Sequence, residues 1–289
     1  MAITVIVLNW NGLVHTRACV AELARVATPG LRVVVVDNGS ARREDLALAE
    51  ALVGFPHPLE IVRLPKNRGF AGGVNRGLEA ALAARAAGHP VDAALLLNND
   101  ARLPDGFVEA LEATLREHPD VGLVGTVIAE PAGLLGPGRV DWHTGDTPWA
   151  HPPYAADLVD CELAHGACLG VRLALVDDIG MLDEGYFCFY EDSDLCLRAR
   201  AAGWGVRCLT RFRVEHVGGA ALGRASDRRR YLFTRSRVRF ILAHAPRARR
   251  LRTLAALALR IGRRGTSLAA LKGFVDGLVG APPRWPGLT

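Results

Sequence analysis

Short apolar runs alternate with longer stretches of helical periodicity through the first 130 residues of the chain. The apolar runs contain few polar positions, as strands do when both faces of a sheet are covered, and this pattern is typical of a parallel sheet. The predicted strands are residues 3–9, 31–37, 59–64, 93–97 and 121–128, and the predicted helices are residues 14–26, 42–53, 71–87 and 105–118. Strands that alternate with helices predict an α/β fold.

The pattern breaks at residues 129–160, where repeated prolines and glycines exclude long helices and strands. The aromatic side chains of this segment are Trp142, His143, Trp149, His151 and Tyr154. A long irregular segment with aromatic residues is more typical of a binding loop or lid than of a linker. Regular structure is predicted to resume at residues 161–171, followed by helices near 172–179 and 192–202 and a strand at 205–209.

Polar residues follow each of the first four predicted strands. The segments are Asn9-Trp10-Asn11, Asp37-Asn38-Gly39-Ser40, Asn67-Arg68-Gly69 and Asn98-Asn99-Asp100. Asn, Asp and Gly are favoured in turns for backbone reasons, which is the simpler explanation at any single strand. Ligands of parallel sheets bind beyond the carboxyl ends of the strands, so four polar ends on one edge predict a ligand crevice there.

The chain lacks the common signatures of nucleotide binding. No G-x-G-x-x-G follows the first strand and no G-x-x-x-x-G-K-[ST] is present, which disfavours a dinucleotide oxidoreductase and a P-loop phosphotransferase. The segment from Asn67 to Gly77 is dense in glycines and amides, and its backbone N–H groups with Arg68 and Arg76 are candidates for a phosphate site. A tightly packed helix that needs small residues is the alternative.

Acidic residues begin the predicted helix that follows the aromatic segment 186–190. They are Glu191, Asp192 and Asp194. They can serve as helix-capping residues, with Asp192 as the N-cap and Asp194 paired with Arg198 four residues later. They can equally supply a general base at the mouth of a cleft. The spacing alone does not separate these two interpretations.

Asp100 and His216 are candidates for binding a metal ion. A carboxylate directly after the strand at 93–97 suits a hard divalent cation that shares its ligands with substrate phosphates, and a turn cap is the alternative. His216 precedes Val217-Gly218-Gly219, so its imidazole could bind a metal or a phosphate from a loop, or could have a structural role.

The net charge of +5 conceals an asymmetry along the chain. Residues 224–264 contain 14 arginines and one acidic residue, Asp227, giving +13 and leaving −8 on the rest. The apolar residues that recur there at roughly helical spacing are Tyr231, Phe233, Val238, Ile241, Leu242, Leu251, Leu254, Leu257 and Ile261. A basic amphipathic helix is typical of a membrane-surface element, and a helix packed on the domain with solvated arginines is the alternative.

Taken together, the polar segments resemble the family 2 glycosyltransferases, which are nucleotide-sugar-dependent inverting enzymes of the GT-A fold, and in particular the bacterial rhamnosyltransferase-like branch. The resemblance rests on an ordered series within residues 1–220: Val36 to Ser40, Asn67 to Gly77, Leu97 to Asp100, His165 to Cys168, Tyr190 to Trp204, and His216 to Gly219. It implies a Rossmann-like, mostly parallel sheet flanked by helices. The GT-A domain would span residues 1–222, with nucleotide-sugar binding in 1–128 and acceptor binding and catalysis in 129–222. A basic helical extension would follow over residues 223–289.

The resemblance also implies which residues hold the nucleotide sugar. Asn9 and Asn11 would line the base pocket, and Asp37 would contact the base or the ribose. The residues placed along the nucleotide and sugar are Asn67, Gly69, Asn75 and Asn99.

The remaining roles implied by the resemblance concern catalysis and the metal ion. Asp192 matches the catalytic base of the family, and Glu191 is its neighbour. Asp100 matches the last carboxylate of the D-x-D metal motif, and His216 matches a histidine near the metal and the diphosphate. Because the motif here has one carboxylate, the implied Mg²⁺ or Mn²⁺ would depend more on substrate phosphates for its binding.

The sequence therefore predicts an inverting glycosyltransferase that moves a sugar, with rhamnose as the leading candidate, from a dTDP- or UDP-sugar to an acceptor hydroxyl. A nucleotidyltransferase is disfavoured because Asn9-Trp10-Asn11-Gly12 stands where a glycine-rich phosphate loop with Lys or Arg is expected. A catalytically inactive nucleotide-sugar-binding module is disfavoured because Asp100 and Asp192 are both present.

The sequence also bears on location and partners. We expect a cytoplasmic protein, because no secretory signal precedes the first strand, no apolar run is long enough to span a bilayer, and the cysteines show no paired spacing. Peripheral contact with the inner face of the membrane and a homodimer are left open. No nucleic acid partner is expected.

Overall fold

The chain forms a mixed α/β structure in the computed structural model, which describes residues 1–218, 223, 225–263 and 267–288. The strands among these residues are β1 (Ile3–Asn9), β2 (Arg32–Asp37), β3 (Leu59–Arg63), β4 (Ala93–Asn98), β5 (Ala101–Arg102), β6 (Val121–Glu130), β7 (Gly133–Leu135), β8 (Leu158–Asp160), β9 (Cys168–Arg172) and β10 (Gly205–His216). The helices are α1 (Leu13–Leu23), α2 (Glu44–Ala51), α3 (Gly69–Ala86), α4 (Phe107–Glu117), α5 (Leu173–Ile179), α6 (Glu191–Ala201), α7 (Asp227–His244), α8 (Arg247–Arg263) and α9 (Leu268–Leu278).

One sheet passes through the body of the protein in the strand order β3-β2-β1-β4-β9-β6-β10-β5, and helices cover both of its faces. The valines of β2 show how this works. Val33 and Val35 pack into the core that contains α1 and α4, whereas Val34 and Val36 pack into the core that contains α3. A strand with two buried faces needs apolar residues at successive positions, which explains the continuous runs in the sequence.

The strand pairing is parallel in the N-terminal half and mixed beyond it. β1 is parallel to β2 and β4, and β2 is parallel to β3, as predicted. β9 then lies antiparallel between β4 and β6, while β6 and β10 are parallel. An antiparallel strand begins at the edge where its neighbours end, so β9 brings the residues just before it, His165 to Ala167, to the carboxyl edge of β4.

β10 is longer than predicted and continues to His216 through alternating exposed and buried positions. Arg211, Arg213 and Glu215 are exposed, while His216 is buried. Period-two alternation is a strand signal even in a charged segment. The end of β10 pairs with β5, which begins directly after Asp100, and this pairing places His216 beside Asp100.

Helix α7 packs into the body of the protein. Tyr231, Val238 and Ile241, which the sequence assigned either to a membrane-surface helix or to a helix packed on the domain, are buried, and so are Leu254 and Leu257 of α8. The packed-helix alternative is correct for these side chains, because they lie in two apolar clusters that join α7 to α8, to α9 and to the segments around Trp142 and Phe187. The predicted domain boundary at residue 222 falls among residues 219–222, which lie outside the described residues.

Helix α9 lies close against α7 because glycines face the contact. A Cβ at Gly273 would overlap the carbonyl oxygen of Tyr231, and a Cβ at Gly277 would lie 2.7 Å from the Cβ of Val238. Among the described helices, none combines the length and the apolar character needed to cross a membrane.

We expect Gly273→Ala to destabilise the protein, because the added methyl group forces α9 away from the backbone of α7. Overpacking of this kind costs about 1–3 kcal/mol. Gly262→Ala in α8 is the matched control, since a Cβ there meets nothing within 4 Å. The control is expected to be neutral or to stabilise by up to about 1 kcal/mol through helix propensity. Urea unfolding measures both, and equal effects of the two substitutions would contradict the packing of α9 on α7.

Candidate active site

A cleft of about 580 Å³ opens at the carboxyl edge of β1 and β4. Its walls are the loops after these strands, the residues before β9, the segment 187–193, the loop residues 146–149 and the start of α7. The residues of the predicted site that line it are Asn11, Asn67, Gly69, Asn99, Asp100, Glu191, Asp192 and His216. The polar strand ends thus form one crevice, and both Asp100 and Asp192 face it.

The other residues predicted for the site lie behind the cleft wall. Asn9 is fully buried and donates to Glu44 Oε2 at 2.9 Å. Asp37 is also fully buried and is ion-paired with Arg63. Asn75 is buried in α3 and hydrogen-bonds to the backbone of the loop between α5 and α6. In this arrangement these side chains fix the loops that form the cleft.

The start of α3 is held by amide side chains and closed by glycines. Asn38 donates to Asn67 Oδ1 and to the carbonyl of Gly69, both at 2.9 Å. Gly69 has a φ of +76°, a backbone conformation that residues with a side chain rarely adopt. Cβ atoms at Gly73 and Gly77 would overlap side chains of β1. The tight-packing alternative is therefore correct for Gly73 and Gly77, whereas Gly69 lines the cleft.

Asp100 and His216 form an ion pair at the end of β4, with 3.1 Å between Oδ1 and Nε2. The other ring nitrogen, Nδ1, lies 2.9 Å from Glu130 Oε1. Burial alone would lower the pKa of His216, but hydrogen bonds to these two carboxylates raise it to about 9. For Asp100 the effect of burial has the opposite sign, since burial would raise the pKa of a carboxyl group. The hydrogen bond and the charge of His216 outweigh it and hold the pKa of Asp100 below its usual range.

Asp100 and His216 fit a divalent cation that takes its further ligands from a bound substrate. Within the described residues, no three His, Cys, Asp or Glu side chains are arranged to hold a metal ion by themselves. Mg²⁺ is usually bound by one or two carboxylates together with substrate phosphates and water. Asp100, with His216 beside it, therefore suits a cation that takes most of its ligands from a bound diphosphate.

Asp192 faces the cleft from the first turn of α6. Its Oδ2 accepts the N–H of Gly166 at 2.8 Å, and its Oδ1 accepts the N–H and the hydroxyl of Ser193 at 2.6 and 3.2 Å. The capping interpretation is wrong for Asp192, because α6 begins at Glu191 with Tyr190 in the N-cap position. Fixed backbone donors orient the carboxylate toward the cleft, as a general base requires.

Glu191 differs from Asp192 in its surroundings. Its side chain is 5% exposed, and its Oε2 has no hydrogen-bond partner among the described residues. Burial, reinforced by the charges of Asp192 and Asp194, raises the pKa of Glu191 well above its usual range. We therefore expect Glu191 to be a neutral carboxylic acid next to Asp192.

Asp194 anchors α6 from its inner side. Its carboxylate accepts hydrogen bonds from Arg198 Nε at 2.8 Å, as predicted, from His244 Nε2 at 2.6 Å and from the hydroxyl of Tyr186 at 3.2 Å. Burial would raise the pKa of Asp194, but the hydrogen bonds from His244 and Arg198 hold it below its usual range. The start of α6 is thereby fastened to α7, because His244 ends that helix.

The aromatic wall before α6 has an unusual backbone. Phe187, Phe189 and Tyr190 all have φ near +70°, a conformation that is costly for large side chains. Buried Ser236 of α7 donates to two carbonyl groups of this wall, and buried Arg235 donates to the carbonyl just before it. Helix α7 therefore holds the wall in place.

Helix α7 also supplies cleft residues that the sequence analysis did not assign. Arg229 and Phe233 line the cleft, and the guanidinium of Arg229 lies 5.1 Å from the ring centroid of Phe189. The arginine-rich sequence of this helix gave no sign of which residue faces inward. Arg229 puts a positive charge in the cleft, which suits a phosphate group.

The irregular loop predicted as a lid forms one wall of the cleft through residues 146–149. Trp149 packs on His165, with 5.3 Å between ring centroids. Asp146 is ion-paired with Arg237 of α7 at 2.7 Å and with Arg260 of α8. The aromatic content of the loop predicted its role, but its arginine partners, about 100 residues away in the chain, carried no local signal.

The fold is that of the GT-A glycosyltransferases. The structure of GalNAc-T7 with UDP, GalNAc and Mn²⁺ matches with a TM-score of 0.69 and 13% identity, covering 96% of this chain and 54% of that one. S. aureus TarS (residues 1–349) in complex with UDP-GlcNAc matches with a TM-score of 0.63 and 17% identity, covering 98% of this chain and 82% of that one. This chain therefore spans about half the length of GalNAc-T7.

The family profile described as Glycosyl transferase family 2 matches residues 4–180, and the chain belongs to this family. The N-acetylglucosaminyl-diphospho-decaprenol L-rhamnosyltransferase of Mycobacterium tuberculosis (strain ATCC 25618 / H37Rv) is 27% identical over 211 residues, which is 66% of this chain and 67% of the relative. Low-salt glycan biosynthesis hexosyltransferase Agl10 of Haloferax volcanii is 23% identical over 205 residues, 68% of this chain and 61% of the relative. These matches confirm the prediction of a glycosyltransferase, while α6 with Asp192 lies beyond the profile match.

We expect Asp194→Asn to make the fold less sensitive to acid. The native pKa of Asp194 lies below the unfolded value of about 3.9. The carboxylate therefore contributes stability that is fully present above the unfolded pKa and is lost as the pH falls through the native pKa. At pH 7 the substitution should lower the free energy of unfolding by about 1–3 kcal/mol, because His244 and Arg198 lose a buried charged partner.

Urea unfolding between pH 7 and about pH 3 measures this difference. Asp177→Asn is the control, since Asp177 forms an exposed ion pair with Arg85 and should contribute little. A stability difference between wild type and Asp194→Asn that stays constant down to the lowest pH would contradict the assignment.

Proposed function

We propose that this protein is an inverting glycosyltransferase that moves a sugar from a nucleoside-diphosphate sugar to an acceptor hydroxyl. The observation that carries the proposal is the position of Asp192. It is a half-buried carboxyl group, held by the backbone N–H groups of Gly166 and Ser193, and it shares one cleft with Asp100. A positioned base and a site where a cation can offset the charge of the leaving diphosphate, both in one cleft, are what a displacement at the anomeric carbon requires.

Asp192 would act as the general base. As the acceptor oxygen attacks the anomeric carbon, its proton passes to Asp192 and the new C–O bond forms. The bond between the anomeric carbon and the diphosphate oxygen breaks at the same time, and its electron pair leaves with the nucleoside diphosphate. Attack from the face opposite the leaving group inverts the anomeric centre. A neutral Glu191 would avoid a second negative charge beside the base.

The diphosphate would lie on the side of the cleft that holds Asp100 and His216. Bound there, Mg²⁺ or Mn²⁺ would offset the negative charge that develops on the leaving group. Arg229 of α7, which lines the same cleft, would contact the phosphates. Asn11, Asn67, Gly69 and Asn99 would contact the nucleotide and the sugar from the strand ends, and Asn9, Asp37 and Asn75 would support them from behind.

The names of relatives support a choice of donor and acceptor. The mycobacterial relative is named as transferring L-rhamnose to a diphospho-decaprenol sugar, which favours rhamnose and a lipid-linked acceptor hydroxyl here. The two solved structures described above contain UDP or UDP-GlcNAc, which favours UDP as the nucleotide, while dTDP stays the candidate that the resemblance implies. A cytoplasmic protein that contacts the inner face of the membrane fits this acceptor, and a homodimer is compatible with it.

We expect Asp192→Asn to abolish transfer while donor affinity stays within a few-fold of wild type. A positioned base contributes at least about 10² in rate, so the variant should keep under roughly a hundredth of the activity. Glu191→Gln is the matched control, because an amide replaces a neutral acid of the same shape and should reduce the rate much less. Release of nucleoside diphosphate from a donor panel measures activity. More than a tenth of wild-type activity in Asp192→Asn would refute this base assignment.

We also expect binding of nucleoside diphosphate to depend on a divalent cation through Asp100. Calorimetry in chelator and then in excess Mg²⁺ or Mn²⁺ should show tighter binding with the metal for wild type and little gain for Asp100→Ala. Asp105→Ala, which removes an exposed carboxyl group nearby, should behave as wild type. Equal affinity with and without metal in the wild type would rule out this role.

A further inference from the structure

We propose that the outer face of α8 docks on a bilayer that contains anionic lipids. The inner face of this helix is buried through Thr253, Leu254 and Leu257. On the opposite face, Leu251 is 80% exposed and Leu259 is 62% exposed, with small exposed alanines between them. A helix with an outward apolar stripe beside basic residues has the pattern of an interfacial helix.

The arginines of the C-terminal helices fall into two groups. Those of α7 are largely used within the protein, as Arg235, Arg237 and Arg239 bind carbonyl groups or carboxylates of the body. Arg247, Arg249 and Arg252 of α8 are exposed, and across the described parts of the chain their side chains form no hydrogen bond or ion pair. Among the described arginines of α7 and α8, the unpaired charge is therefore concentrated beside Leu251.

Helix α9 adds a second exposed apolar stripe. Leu268 is 80% exposed and Val279 is 71% exposed, and Leu271, Val275 and Leu278 lie between them at helical spacing. The one basic residue on this face is Lys272, and the one acidic residue of α9, Asp276, accepts a hydrogen bond from Tyr231. Exposed aliphatic residues on two neighbouring helices exceed the single scattered ones that are normal on a protein surface.

Charge selects a lipid surface over a second copy of the chain. A two-fold dimer through this face would set the arginines of α8 against the same arginines of its partner, because such an interface uses the same patch on both subunits. An anionic bilayer offers negative charge at its surface and an apolar interior for the leucines beneath it. Both features of the face are satisfied together only there.

The docked helix also reaches the cleft. On its inner side, Thr253 donates to the carbonyl of Trp142, and Arg260 binds Asp146 in the loop that forms the cleft wall. One helix thus joins the exposed face to the loop that forms one wall of the cleft. The idea that docking delivers a lipid-linked acceptor rests on the proposed function, whereas binding to vesicles does not.

Co-sedimentation of the full chain with vesicles tests the proposal. We expect binding to phosphatidylcholine vesicles that contain roughly a third phosphatidylglycerol, no binding to pure phosphatidylcholine, and weakening at high salt. Arg249→Glu with Arg252→Glu should lower the partition coefficient at least tenfold, since each basic residue near such a surface contributes about a fivefold factor. Leu251→Glu with Leu259→Glu should lower it as well. Val53→Glu, at an 83% exposed aliphatic position outside these helices, should leave it unchanged.

The proposal is overturned if the wild type ignores anionic vesicles, or if the α8 variants bind them as the wild type does. It is also overturned if the α8 variants dissociate a dimer in sedimentation velocity, since the face would then belong to a second copy. Release of nucleoside diphosphate in the absence of vesicles separates this test from the proposed function. The α8 variants should retain that activity. If the wild type binds vesicles but releases no nucleoside diphosphate from any donor, the proposed enzymatic function is refuted and the docking proposal stands.

Discussion

Three carboxyl groups lie in the first turn of α6, and the rest of the site depends on how the protein accommodates them. Close like charges cannot all remain buried and ionised without compensation. Asp194 is compensated by Arg198 and His244, and burial raises the pKa of Glu191 well above its usual range. Asp192 is left to face the cleft, held by backbone N–H groups that fix its direction. The start of α6 thus supplies an anchoring carboxylate, a buried carboxyl group with a raised pKa and a candidate base.

This arrangement explains why α7 belongs to the candidate active site. His244 is needed to compensate Asp194, and Ser236 and Arg235 hold the strained aromatic wall that leads into α6. The positive φ values of that wall are costly, and they persist because several buried hydrogen bonds oppose them. Arg237 then connects the same helix to the loop that forms one wall of the cleft. The sequence of α7 is typical of a basic surface helix, but in the structure α7 supports the cleft.

The sequence was informative where local chemistry decides the structure. The valine-rich runs predicted the buried strands, and the amides at their ends predicted the crevice, because both signals lie within a few residues. It was misleading where distant partners decide. The charged residues after Leu209 hid the continuation of β10, although their period-two alternation was visible. Nothing local showed that β9 would insert antiparallel, that Asp37 would pair with Arg63, or that Arg229 would face the cleft.

We propose that the cleft performs a single displacement at an anomeric carbon with Asp192 as the base. The most direct measurement is the anomeric configuration of the first product, recorded by proton NMR during turnover of the best donor and before mutarotation. A single displacement predicts a product of inverted configuration relative to the donor, whether the attacking hydroxyl belongs to a sugar or to water. A first product that retains the configuration of the donor would contradict the account.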